Sequence, residues 1–411
     1  MSTRQPGPWQ KSGVKRFVTE AAKALLITNI PNPYRVPLFN ELRRQLETQG
    51  IGLLVVFGAS GYERRKFRLD MGQCEFAYRV LESDAIHYAD AEKVSFTYKG
   101  LLGVIASECP DVIVTNGFSI ATMKVWARSW LDRTPFLIWS GATHHPAQRV
   151  PAWRAIQRRA LVRRAAGHIA YGSSAKEYLV SLGAPPSNVE IGINTVDTEY
   201  FRSEANRLRA AGARGSVIHN LLCISYLTAR KRVDQLLQVA ASLRRRRSDF
   251  RLTVLGDGPE LDTLKTMAVR LGIADCVEFR GFVQKDQIPA YLAATNCFLF
   301  PTDYDIWGLV LVEAMAAGAV CIASVNAGAV RDLVKDGETG FAMDLADHEA
   351  VAGRVDWILN NPDAAGEIGK NAGLFIRNNV NLARSASGFV RAITKALNAG
   401  GPDPASSRPG K

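Results

Sequence analysis

The sequence predicts an α/β protein made of two Rossmann-like domains facing each other across a cleft. Three observations carry that expectation. Short apolar runs alternate with amphipathic stretches at helical spacing, which is the rhythm of a doubly wound parallel sheet. The rhythm stops between Thr195 and about residue 215 and then restarts. At 411 residues the chain is also longer than a single core usually organises, so two cores are expected.

In the first half, ALLITNI (24–30) reads as a buried strand and YRVPLFNELRRQLETQG (34–50) as a helix closed by glycine. GLLVVFG (52–58), DVIVTN (111–116), PFLIWSG (135–141), HIAYGSS (168–174) and VEIGIN (189–194) read as further strands, with helices near 119–131, 152–165 and 175–182. SEANRLRAAGARGS is polar, small and basic, as an interdomain linker would be. In the second half the strands are VIHNLLCISYL (217–227), FRLTVLG (250–256), CVEFRG (276–281), CFLFPT (297–302) and AVCIAS (319–324). Helices are expected at 231–247, 259–272, 287–295, 308–317, 347–360 and 384–397. The domain limits that follow are 23–196, a linker at 197–215, and 216–383. A helix at 384–398 is a candidate to cross back to the first domain. Segments 1–22 and 399–411 are expected to be flexible.

No apolar stretch reaches the roughly 20 residues that would cross a bilayer, and the start MSTRQPGPWQKSGVKRF lacks an apolar signal core. A cytoplasmic protein is expected, with the inner face of the cytoplasmic membrane as a peripheral location. The six cysteines are scattered without metal-ligand spacing, so buried reduced thiols and no metal site are expected. The net charge of +12 is uneven: residues 1–200 hold 25 Lys/Arg against 17 Asp/Glu, whereas residues 301–350 hold 2 against 9. A basic first half suggests an anionic partner.

The chemistry is concentrated around Glu313. From Ile306 to Val330 the chain reads IWGLVLVEAMAAGAVCIASVNAGAV, and Glu313 is its only charge. A helix this apolar is buried, and a buried carboxylate is unfavourable by several kcal/mol unless something pairs with it. Gly308 opens the helix, so the amides of Leu309 and Val310 are expected to face an anion such as phosphate. Glu313 lies one turn beyond Leu309, on the same face, where its carboxylate can accept bonds from two adjacent hydroxyls. Asp305, before the helix, would sit on the other side of a diphosphate. The alternative is that Asp303 or Asp305 caps the helix and Glu313 pairs with a structural arginine.

D-I-W-G-L-V-L-V-E-A-M-A-A-G (305–318) resembles the Glu-x7-Glu signature, E-G-F-G-L-V-x-x-E-A-M-A-x-G, of the retaining glycosyltransferases of family 4. That resemblance implies the GT-B fold, with Glu313 on the ribose of a nucleotide sugar and Asp305 near the reacting sugar carbon. Asp305 is one methylene shorter than the family's glutamate. S-Y-L-T-A-R-K-R (225–232) resembles the family's G-R-L-x-x-E-K-G, which puts Lys231 on the diphosphate. Tyr226 stands where the family has an arginine, and Arg230 and Arg232 are candidates to supply that charge. GDGPE (256–260) matches a family turn through Gly258, and Arg280-Gly281-Phe282-Val283 resembles the loop lining the base, bringing in Arg280 and Val283.

In the first domain NIPNPYRVPLFNEL (29–42) is similar to the family's first loop and helix, with prolines where many members have glycines. Arg35 is a candidate on the acceptor side, or a solvated first-turn residue. WSGATHHPAQRVPAW (139–153) follows a strand. The resemblance places His144 on the acceptor side with His145 beside it; two surface-loop histidines are the alternative. The helix from Trp153 carries Arg154, Arg158, Arg159, Arg163 and Arg164 and no acid, with Trp153, Ile156, Ala160 and Leu161 as its inward face. The basic face suits anionic lipid or a lipid-linked phosphate, or simply solvent. Met123, Trp126 and Trp130 read as core.

The expected reaction moves a sugar from a nucleotide diphosphate sugar to a hydroxyl of a glycan or lipid-linked acceptor. It retains the anomeric configuration and serves cell-surface polysaccharide, lipopolysaccharide or lipid-linked glycan synthesis. No cofactor is needed, because the nucleotide sugar is the substrate, and nucleic acid is not an expected partner. A catalytically weak sugar-nucleotide binder and a nucleotide-sugar epimerase of the same fold are the rival readings.

Overall fold

The computed structural model describes residues 22–61, 70–87, 94–144, 150–212 and 218–400. The expected flexible ends fall almost wholly outside these. The described residues up to Ile193, with those from Ala383 onward, make one compact unit, and Asn194–Leu382 make the other.

The first unit runs β1 (Ala22–Thr28), α1 (Val36–Glu47), β2 (Ile51–Phe57), β3 (Ala77–Val80), β4 (Ala85–His87), β5 (Val94–Phe96), α2 (Leu101–Glu108), β6 (Val112–Asn116), α3 (Ile120–Arg128), β7 (Phe136–Ser140), α4 (Ala152–Arg164), β8 (Gly167–Ala170), α5 (Ser173–Ser181) and β9 (Val189–Ile191). Seven strands form a parallel sheet in the order β3-β2-β1-β6-β7-β8-β9, while β4 and β5 pair separately as an antiparallel ribbon. Every residue of β2 and β7 is buried, as strands covered on both faces require. Order reverses between β1 and β6, so the loops after these two strands diverge and leave a crevice at their carboxyl ends.

The second unit runs α6 (Thr198–Ala210), β10 (His219–Ile224), α7 (Val233–Arg244), β11 (Phe250–Leu255), α8 (Leu261–Arg270), β12 (Val277–Gly281), α9 (Ile288–Ala294), β13 (Cys297–Phe300), α10 (Leu309–Ala316), β14 (Cys321–Ser324), α11 (Val330–Leu333), β15 (Phe341–Met343), α12 (His348–Asn360) and α13 (Pro362–Asn379). Its six-stranded parallel sheet has the order β12-β11-β10-β13-β14-β15, with the switch point between β10 and β13.

The segment expected to be a linker is helical instead. Asp197 caps α6 by accepting from the Tyr200 amide at 3.1 Å, and Thr198, Phe201 and Ala205 are buried against α9 and α10. Arg209, at the end of α6, donates to the carbonyls of Ala317 (2.6 Å), Ala293 (3.3 Å) and Leu292 (3.3 Å). One guanidinium thereby satisfies the carboxyl ends of α9 and α10, where cations are favoured. Three small or aromatic inward positions were enough to fix a helix whose remaining surface is polar. The run of arginines at 244–247 is held by acids: Arg244 by Asp275, Arg245 and Arg246 by Glu349, and Arg247 by Asp249 and Asp356.

The last helix, α14 (Leu382–Gly400), belongs to the first unit. Phe389 packs edge-on to Trp139 at 5.0 Å, Arg391 pairs with Glu190 at 2.8 Å, and Thr394 bonds Gln49 at 2.8 Å. Gly388 lies so close to Ile191 that a Cβ would fall 2.1 Å from the Ile191 carbonyl oxygen. Among the described residues no helix is long and apolar enough to cross a membrane.

Candidate active site

The charges of the second unit gather at its switch point. The loop after β10 carries Lys231, and the loop after β13 carries Asp303 and Asp305. Hydrogen bonds fasten these loops together: the Asp303 amide and the Thr302 hydroxyl both donate to the Arg230 carbonyl, at 3.0 and 3.4 Å. The Arg230 guanidinium also reaches the Tyr304 carbonyl. Within this frame the Lys231 ammonium pairs directly with the Asp305 carboxylate, both largely shielded from solvent. The second oxygen of Asp305 accepts from the Trp307 amide at 3.4 Å.

Gly308 then turns the chain into α10 with φ +107°, and a Cβ there would lie 2.7 Å from the Phe300 ring. Conformation and space both require glycine. No side chain caps this end of α10, where Leu309 and Val310 begin the helix half-buried. Its first amides therefore keep their capacity to bind an anion. One turn on, Glu313 is 8% exposed, and its Oε2 is buried without a hydrogen-bond partner among the described residues. Burial pushes its carboxyl up to about 7, opposed by the Lys285 ammonium. The expected alternative of a structural arginine paired to Glu313 is not what the structure shows. The opposing cation is Lys285, in the loop after β12, whose ammonium also lies over the Tyr200 and Phe201 rings.

The other predicted residues have more structural surroundings. Gly258 has φ +155°, and a Cβ would fall 2.3 Å from the Leu227 carbonyl oxygen, so its glycine is demanded by the neighbouring loop. Arg280 is exposed on the edge strand β12 and pairs with Glu278 at 2.8 Å; Val283 is half-buried just beyond. Arg230 and Arg232, the candidates for the charge that Tyr226 lacks, are both engaged within the protein. Arg230 turns to the Tyr304 carbonyl, and Arg232 is committed to Asp234 (3.1 Å) and Asp303 (3.0 Å). Both arginines line a cavity of about 460 Å³ with Thr228, Asp234, Glu260 and Asp303.

The sequence profile described as "Glycosyl transferases group 1" matches residues 219–374, the unit that holds this site. The profile described as "Glycosyl transferase 4-like domain" matches residues 37–193. The chain belongs to the GT-B glycosyltransferases of the family 4 type. Residues of this glycosyltransferase are 32% identical over 210 positions to the GDP-mannose-dependent alpha-(1-6)-phosphatidylinositol monomannoside mannosyltransferase of Mycobacterium tuberculosis, covering 48% of this chain and 53% of that one. The match thus spans about half the length of that relative. Similarity to the D-inositol 3-phosphate glycosyltransferase of Frankia alni is 25% identity, over 96% of this chain and 97% of the relative. Among solved structures, the Anabaena protein HepE in complex with UDP superposes with a TM-score of 0.71 at 18% identity, covering 90% of this chain and 99% of that one. Sucrose-phosphate synthase from Thermosynechococcus elongatus gives 0.72 at 19%, covering 92% and 100%. At these identities the structures share the fold.

In the first unit of this glycosyltransferase the sequence expectations fare differently. Arg35 is 6% exposed and stacks on Trp139, 4.4 Å from its ring centroid, while donating to the Tyr171 hydroxyl at 3.1 Å. Its Nη1 is buried without a partner among the described residues. It is neither a solvated first-turn residue nor an open contact; aromatic rings enclose it. His144 is exposed, bonds Ser181 at 2.9 Å and sits edge-on to Tyr178 at 4.8 Å. Ser181 is the last residue of α5, so His144, in the loop after β7, rests against that helix. His145 lies outside the described residues. Lys285 was missed because nothing in its local sequence separates it from other loop lysines.

Proposed function

We propose that this protein transfers a sugar from a nucleotide diphosphate sugar to a hydroxyl acceptor with retention of anomeric configuration. Its setting would be the assembly of a surface polysaccharide, lipopolysaccharide or lipid-linked glycan. The observation that carries the reading is Glu313: a buried carboxylate oxygen with no partner among the described residues, one turn from an uncapped helix start that follows the Asp305–Lys231 pair. A ribose diol supplies the missing donors, and the diphosphate fits the α10 amides and Lys231. UDP in HepE and GDP-mannose in the name of the mycobacterial relative support a nucleotide sugar as donor.

In the proposed step the bond from the anomeric carbon to the diphosphate oxygen breaks, and the acceptor oxygen bonds that carbon on the same face. The acceptor proton passes to the departing diphosphate. Lys231 and the α10 amides stabilise the charge that develops on the leaving group. Asp305, already holding Lys231, fixes where that ammonium points.

A thermal-shift series of UDP- and GDP-sugars tests the donor, because ligands that bind only the folded state raise the melting temperature. The cognate donor should raise Tm in the wild type and leave Glu313→Ala unmoved. Undiminished transfer by Glu313→Ala would refute the assignment. Donor binding without transfer to any hydroxyl acceptor would favour the binding-only reading, and an isomerised donor would favour the epimerase.

A further inference from the structure

The helix expected to pack inward through Trp153, Ile156 and Ala160 does the opposite. Of those positions only Leu161 is buried; Trp153 is 60% exposed, Ile156 67%, and Ala160 is exposed as well. Spacings of three and four residues put Trp153, Ile156 and Ala160 in one stripe along α4, the pattern of a core face, turned to solvent. Beside the last turn of α4, Trp130 (63% exposed) and Leu131 (87% exposed) follow the end of α3. Arg164 holds them there, its guanidinium 5.0 Å from the Trp130 ring and bonded to the Ser129 carbonyl at 2.7 Å. Trp130, which its sequence spacing assigned to the core, is thus on the surface.

The arginines of α4 divide into two sets. Arg158 and Arg164 turn inward, Arg158 to the Tyr178 hydroxyl at 2.6 Å. Arg154, Arg159 and Arg163 are exposed, and among the described residues no carboxylate pairs with them. Among the described residues, four large apolar side chains interleaved with arginines that no carboxylate pairs, Arg154 lying over the Trp153 ring at 5.1 Å, leave an apolar face uncovered and a positive charge unbalanced.

The geometry points to a bilayer interface rich in anionic lipid as the partner that covers this face, with Trp130, Leu131, Trp153 and Ile156 entering the headgroup region and Arg154, Arg159 and Arg163 meeting lipid phosphates. Tryptophan and arginine together are the side chains such an interface favours. A second copy placed symmetrically would set arginines against arginines. Residues 1–21 carry Arg4, Lys11, Lys15 and Arg16 against Glu20, and so do not complement the face in charge. The surface lies wholly in the first unit and does not depend on the glycosyl-transfer reading.

Co-sedimentation of the full chain with vesicles, either phosphatidylcholine alone or with phosphatidylglycerol, reads binding without any transfer assay. Binding should require phosphatidylglycerol and fall with salt. Trp153→Ser/Ile156→Ser should weaken it about tenfold or more, since two large apolar groups no longer leave water. Arg154→Gln/Arg159→Gln/Arg163→Gln should weaken it about 100-fold, from roughly fivefold per arginine near an anionic surface. Both variants alter exposed positions and should keep the wild-type Tm. Equal binding by the Trp153/Ile156 variant, or no preference for phosphatidylglycerol, would overturn the proposal. So would a solution dimer that the Trp153/Ile156 variant dissolves, or salt-sensitive binding to duplex DNA in place of vesicles.

Discussion

Each unit of this glycosyltransferase is a parallel sheet with a switch point, yet the two switch points are finished in opposite ways. At β10/β13 the loops bring together Lys231, Asp305, an uncapped helix start and the partnerless oxygen of Glu313. At the carboxyl ends of the first sheet, the prominent cation, Arg35, is enclosed by Trp139 and Tyr171 and hardly exposed. One crevice gathers several open polar groups around a helix start; the other encloses Arg35 in aromatic rings, with only its Nη1 buried and lacking a partner among the described residues. The same topology therefore supplies a location for a site but not the site, which depends on which polar atoms the fold leaves unsatisfied.

The largest test of that contrast is Glu313→Ala, for which transfer should fall about 1,000-fold, because ribose hydroxyls would be desolvated without an acceptor. Lys231→Ala should follow with a loss of roughly 100-fold in kcat, as expected for one electrostatic contact to a leaving group. Gly308→Ala should cost about 2 kcal/mol of stability, read from urea unfolding, because it combines a left-handed backbone with a clash on Phe300.

A pH series sharpens the role of Glu313. Its carboxyl is raised from the ordinary range to about 7, so its contribution is most favourable below the unfolded value near 4.5 and is lost as pH rises through 7. The ligand-free enzyme should lose up to about 3 kcal/mol of stability by this route between pH 5 and pH 8.5, a loss absent in Glu313→Gln. Donor hydroxyls favour the ionised carboxylate, so the donor-induced rise in Tm should grow over the same interval. The smallest effects belong to the first unit. His144→Ala and Arg35→Met should each change kcat/KM by less than about threefold, since such changes at sites away from the reacting groups stay under ~1 kcal/mol. A loss beyond tenfold for Arg35→Met would make that buried cation an anion contact.

The alternation of apolar strands and amphipathic helices was legible because buried parallel strands need unbroken apolar runs, as in IGLLVVF and FLIWS. The helix α6 was not, since only Thr198, Phe201 and Ala205 face inward and its polar remainder resembles a linker. Glu313 stood out as one charge in an apolar run, and its Oε2 is buried without a partner among the described residues. Its neighbour Lys285 comes from a different loop, and sequence holds no local trace of that approach. The partners of His144 were not legible either, because a loop's direction after a strand is set by what it packs on, here Tyr178 and Ser181. The α4 stripe misled for a different reason: helical periodicity marks an apolar face but does not say what covers it.

The position of α14 has a consequence for the order of assembly. The second unit is one continuous stretch, Asn194–Leu382, whereas the first is incomplete until Phe389 can pack on Trp139 and Arg391 can reach Glu190. Growing chains usually complete domains from the amino end, at about 5–20 residues per second. Here the earlier-made sheet waits for roughly 200 further residues, some 10–40 s at that pace, before its last helix arrives. The later-encoded unit is thus the first able to finish. A stalled chain carrying residues 1–382 followed by a spacer long enough to span the ribosomal exit tunnel should present a protease-resistant second unit beside a first unit that is still cleavable.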